Sequence, residues 1–114
     1  MQPGGQYQWE KLHDGAVATG DGKSMFPVSM NGHYNKLAVQ IVGIVTATVT
    51  WECTVDGSTW KGLLARPTTS DTAALTATAD GIYRMDVTGL AAVRGRISAW
   101  TEGTIDMDGY LTTV

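Results

Sequence analysis

Thr46-Ala47-Thr48-Val49-Thr50-Trp51-Glu52-Cys53-Thr54-Val55 decides the fold class of this 114-residue chain. Ala47, Val49, Trp51, Cys53 and Val55 fall on one phase of a two-residue period; Thr46, Thr48, Thr50, Glu52 and Thr54 fall on the other. Successive side chains of a strand point to opposite faces, so one face is dry and the other wet. β-branched threonines suit the wet face of a half-buried antiparallel strand.

The same period returns on both sides. Leu37, Val39 and Ile41 alternate with Ala38, Gln40 and Val42. Tyr83, Met85 and Val87 alternate with Arg84 and Asp86; Val93, Gly95, Ile97 and Ala99 alternate with Arg94, Arg96, Ser98 and Trp100. Ile105, Met107 and Leu111 alternate with Thr104, Asp106 and Asp108. Asp56-Gly57, Asp80-Gly81 and Glu102-Gly103 stand between these runs, where a tight reversal needs a residue tolerant of positive φ. The last two predict hairpins 74–79/82–87 and 93–100/104–111. Pro67 marks 66–71 as a loop, because proline cannot donate within a sheet. Tyr7 to Leu12 and Met25 to Met30 read as further strands, the second an edge because of Pro27, with a Gly/Asp-rich loop between. The expectation is an all-β, antiparallel β-sandwich, jelly-roll or immunoglobulin-like, of about eight short strands. Residues 1–114 form one domain, with 1–35 a docking arm or loop-rich segment.

Composition narrows the function. With 43% hydrophobic residues the chain can bury a core. A net charge of −3 argues against nucleic acid, whose binders cluster Lys and Arg to displace counterions. Arg84, Arg94 and Arg96, the nearest thing to a basic group, read as solvent-facing arginines on neighbouring strands. No apolar run reaches the roughly 20 residues of a membrane helix, so no membrane partner is expected. The start carries no basic segment and apolar stretch of a signal peptide.

Reaction chemistry finds little to work with, so no enzyme and no cofactor are expected. His13 and His33 lie in Gly/Asn/Asp-rich surroundings and read as solvated loop histidines without zinc-ligand spacing. Cys53, the one cysteine, excludes an intrachain disulfide and reads as a buried, inert thiol. Gly20-Asp21-Gly22-Lys23-Ser24 ends like a phosphate-binding loop, but Val17 occupies the position of its first glycine. Asp106-Met107-Asp108-Gly109 opens like a calcium loop and lacks its later ligands, leaving plain solvation as the reading. Thr54-Val55-Asp56-Gly57-Ser58-Thr59-Trp60 resembles the structural Asp-box turn of sialidases with one residue missing; here it spells a hairpin capped by Asp56, with Trp60 packing back.

Residues 44–111 carry a broader likeness: the Thr-rich strand into Val55-Asp56-Gly57-Ser58-Thr59-Trp60, the Ala/Thr tract 72–79, Gly81 to Leu90, and Val93 to Ala99 with Gly103-Thr104-Ile105. This cadence resembles small β-sandwich structural proteins of tailed bacteriophages, the head, neck or tail accessory components. The resemblance implies a non-enzymatic virion protein, assembled in the host cytoplasm and docked in many copies on capsid, neck or tail. Its partners would be other phage structural proteins and its own copies. Met25, Phe26 and Met30 would supply an adaptable apolar contact, and Trp100 and Tyr110 an exposed patch. A weaker likeness, to discoidin-type jelly rolls, implies instead a carbohydrate- or host-surface-binding module using Trp60, Trp100 and Tyr110 as its rim.

Overall fold

The computed structural model describes residues 7–29 and 32–113, apart from the side chains of residues 29 and 32. Its strands are β1 (Tyr7–Ala16), β2 (Val28–Ser29), β3 (Gly32–His33), β4 (Lys36–Thr54), β5 (Lys61–Gly62), β6 (Arg66–Pro67), β7 (Thr76–Ala77), β8 (Gly81–Asp86) and β9 (Ala92–Thr112). No helix occurs among the described residues, and every strand pairing is antiparallel. The main sheet runs β1-β9-β4-β8-β6, with β5 and β7 also paired to β4. β2 and β3 form a separate ribbon.

Two long strands replace much of the expected series of short ones. β4 spans 19 residues and β9 spans 21, and they pair from Lys36↔Thr112 to Thr54↔Ala92. The anticipated 93–100/104–111 hairpin is therefore corrected: Glu102-Gly103 reverses nothing and lies inside β9. A crease stands there instead. Gly43 (φ 98°) in β4 and Gly103 (φ 122°) in β9 take backbone angles closed to most L-residues, and the register slips around them. A Cβ on Gly103 would lie 2.5 Å from the Gly43 carbonyl oxygen, and one on Gly43 would collide with the Thr104 carbonyl. Only two bare backbones can cross so closely.

The crease folds the sheet onto itself. One half holds β1, β8 and β6 around the crease-distal ends Lys36 and Thr112; the other holds β5 and β7 around Thr54 and Ala92. Side chains from the two halves meet inside. Trp51 packs against Tyr83 at 5.4 Å between rings, and both are buried. Gly95 lies beneath Trp51 and Met107, and Gly109 beneath Met25 and Leu12, so these glycines admit large neighbours. Leu37, Val39, Ile41, Val49, Val87, Val93, Ile97, Ile105 and Leu111 complete a sandwich core, each at most 3% exposed. The all-β sandwich expectation holds; the strand inventory does not.

The 74–79/82–87 hairpin is corrected too. β7 pairs with Val49 and Thr50, whereas β8 pairs with Lys36 to Ile41 of the same β4. Asp80-Gly81 thus carries the chain from one half to the other. The Asp80 carboxylate accepts the Gly43 and Ile44 amide N–H groups at 3.1 and 2.8 Å, pinning the crease.

The first third is built in as well. β1 pairs with β9, while Gly20 bridges Ile97 and Met25 bridges Val93. Leu12, Met25 and Tyr34 belong to the core. Among the described residues, 7–29 and 32–35 are consequently no detachable arm.

Candidate binding site

The outer face of the β1/β8 half carries the best-furnished surface. Alternation in β8 sends Tyr83 and Met85 inward and Arg84 outward. Direct register then lines up Trp9, Tyr110, Ala38, Arg84 and Arg66 across β1, β9, β4, β8 and β6. One row therefore holds two aromatic rings at one end, two guanidinium groups at the other, and a methyl group between.

A groove of about 620 Å³ follows this row, with Ala38 as floor, Tyr110 and Thr112 on one wall, and Arg66, Thr68 and Arg84 on the other. Tyr7 packs its ring against Tyr110 at 5.6 Å, steadying the aromatic wall. Among the described residues neither Arg66 nor Arg84 has an ion-pair partner. Lys36, on the rim, is occupied by Asp86 at 3.6 Å. Hydrogen bonds from the Thr88 hydroxyl and amide, with Lys36 nearby, hold the Asp86 carboxyl below the usual carboxylate range.

The other arginines face the opposite half and are spent on structure. Arg94 and Arg96 both donate to Glu52, at 2.9 and 3.1 Å, and Arg94 also reaches Asp21 at 3.5 Å. Burial pushes the Glu52 carboxyl up, but hydrogen bonds from Arg96 and Arg94 outweigh it and hold the group below its ordinary value. Arg94 lies 3.9 Å over the Trp60 ring. The reading of these two as merely solvent-facing is corrected. Only Arg84 fits it.

The turn at Asp56 is as expected. Its carboxylate accepts the Thr59 and Ser58 amide N–H groups at 2.7 and 2.8 Å and the Thr54 hydroxyl at 2.9 Å, which holds it far below the normal range. Thr54 is thereby turned inward, and Val55, expected on the dry face, is 73% exposed.

The remaining sequence-derived sites scatter. Met25 is 1% exposed and belongs to the core beneath Gly109, so it offers no surface contact. Phe26, its neighbour, is 51% exposed; Met30 lies outside the described residues. Trp100 is half-buried against the core, its indole N–H donating to the Gly103 carbonyl at 3.0 Å beside the crease. Trp60, Trp100 and Tyr110 therefore assemble no common rim. His13 is no loop residue: it is buried in β1 and donates from Nε2 to the Gly95 carbonyl at 2.8 Å, joining the two halves. His33 is exposed in the β2/β3 ribbon. Lys11 sits 3.8 Å from Asp106 and 3.4 Å from Asp108, filling the position a cation would take. No group of three or more potential metal ligands occurs among the described residues. Cys53 is half-buried, and burial pushes its thiol up. No helix among the described residues is long and apolar enough to cross a membrane.

Comparison with known proteins agrees with this architecture. The crystal structure of YomS, an SPBc2 prophage-derived protein, superposes with a TM-score of 0.85 over 98% of this chain and 97% of that one, at 16% identity. The crystal structure of XepA, a PBSX exported protein, gives 0.86 at 16% identity over 98% of this chain. The chain spans only 39% of that second protein's length. No curated protein sequence matches it. The XepA family model matches residues 10–111, nearly the whole sandwich, and the chain belongs to the XepA family.

Proposed function

We propose that this chain is a non-enzymatic, phage- or prophage-encoded structural protein that docks in many copies on a capsid, neck or tail. The observation that carries the reading is the XepA-family match over residues 10–111, joined to the likeness in fold to a prophage-derived protein of nearly the same length. Local features support it. β1 ends the sheet's strand order and bears Tyr7 and Trp9, more than half exposed, on a potential docking edge. Phe26 adds a separate apolar contact. Repetition makes small contacts sufficient, because neighbouring copies on a symmetric particle add avidity.

The test uses the whole chain, since removal of residues 1–30 would also remove Leu12 and Met25 from the core. Particles lacking the protein, from the phage's own host, are mixed with purified chain and sedimented. Saturable attachment that Trp9→Ala or Phe26→Ala weakens is the expected result. Attachment that never saturates, or none at all, refutes docking.

A further inference from the structure

We infer that the outer-face groove binds an acidic saccharide: a pyranose bearing a carboxylate or phosphate, its anion held by Arg66 and Arg84 and its ring laid against Tyr110. Like charges directly opposite on neighbouring strands repel each other. Arg66 and Arg84 occupy such a pair, both exposed, and among the described residues neither makes an ion pair, the groove's carboxylates being Asp71 and the Lys36-paired Asp86. In a chain of net charge −3 the groove still carries an excess of cations, Lys36, Arg66 and Arg84 against Asp71 and Asp86. Paired guanidinium forks match the planar, two-oxygen geometry of a carboxylate and the oxygens of a phosphate.

Spacing favours a sugar as the bearer of that anion. Tyr110 and Arg84 flank Ala38 on the two neighbouring strands, roughly 10 Å apart at about 4.8 Å per strand. That is room for one ring and its charged substituent, lying over a methyl group that takes up little of the space. Thr68, Ser70 and Asp71 line the same groove and can pair with sugar hydroxyls. Asp71 also favours a sugar over an acidic peptide, because a sugar offers its carboxylate hydroxyl donors that glutamate and aspartate side chains lack. Trp9 extends the aromatic wall beyond Tyr110 in the same row.

The experiment titrates the whole chain calorimetrically with a galacturonate trisaccharide, glucose 6-phosphate, a neutral galactose trisaccharide and hexaglutamate. Saturable binding of either acidic saccharide is expected, at least tenfold tighter than the neutral one and weakened by added salt. The first two probes separate a carboxylate ligand from a phosphate ligand. Arg66→Gln and Arg84→Gln should each weaken binding tenfold or more while leaving the thermal midpoint nearly unchanged, because both side chains are exposed. No saturable binding of either acidic saccharide, binding indifferent to both substitutions, or equal affinity for hexaglutamate overturns the assignment. The inference goes beyond particle attachment. An Arg84→Gln chain that still sediments with particles but has lost the saccharide separates the two readings.

Discussion

Gly43→Ala attacks the crease on which both halves of the sandwich depend. At φ 98° an L-residue is strained by about 1–2 kcal/mol. The added Cβ would also collide with the Thr104 carbonyl oxygen and lie 3.0 Å from its carbon. Backbone cannot rotate away as a side chain can, so β4 and β9 must separate locally, at about 1–3 kcal/mol. The sum is roughly 2–5 kcal/mol, a large part of the 5–15 kcal/mol of a typical domain. At about 4 °C per kcal/mol for a chain of this size, the midpoint should fall by roughly 8–20 °C. Two controls divide the causes. Gly57→Ala shares a positive φ (84°) but meets nothing within 4 Å, so only about 1 kcal/mol is expected. Gly20→Ala has neither problem and should stay within about 0.5 kcal/mol of the parent. Thermal and urea unfolding followed by far-UV circular dichroism reads all three. A Gly43→Ala chain as stable as Gly57→Ala would refute the close crossing.

Other substitutions probe the rest of the frame. Trp51→Ala should cost about 3–5 kcal/mol and abolish the near-UV signal of its contact with Tyr83; a loss below about 1 kcal/mol in urea melts would contradict the packed core. Glu52→Gln should cost about 1–3 kcal/mol at pH 7, since Arg94 and Arg96 lose a charged acceptor. Its folded-state carboxyl lies below the unfolded value of about 4.3, so its contribution is complete above that value and vanishes as pH falls through the folded one. The gap between parent and variant should therefore close in acid, and urea midpoints from pH 7 to pH 2 check it; a constant gap would contradict the charge argument. Asp80→Ala should cost about 1 kcal/mol by freeing two crease amides, and faster hydrogen exchange at Gly43 and Ile44 would report it.

The dry face of 46–51 was legible because alternation has only one reading when β-branched residues occupy the wet phase. It stopped being legible at Thr54, where hydrogen bonds to the Asp56 turn override hydrophobicity and expose Val55. Glycine was the larger ambiguity. Gly103 carries the positive φ that a hairpin turn would require, but a crease in two paired strands demands the same angle. Only its partner Gly43, sixty positions earlier, distinguishes the cases, and no local pattern links them. His13 and Met25 were misread for a related reason. Polar, glycine-rich surroundings suggest a loop at His13, and Pro27 suggests an exposed edge strand at Met25, whereas a hydrogen bond and a bridge to β9 draw these residues inside. Arg84 and Tyr110 were each visible as outward-facing. Their row with Arg66 depended on cross-strand register, which the sequence does not spell out.

Membership of a phage particle is the claim most directly open to measurement. Gradient-purified particles from the native host, washed at high salt, can be analysed by quantitative mass spectrometry against the major capsid protein. The account predicts this chain at a fixed, multi-copy ratio that repeats between preparations. Its confinement to the soluble lysate, with only variable traces in the particle band, would contradict the account.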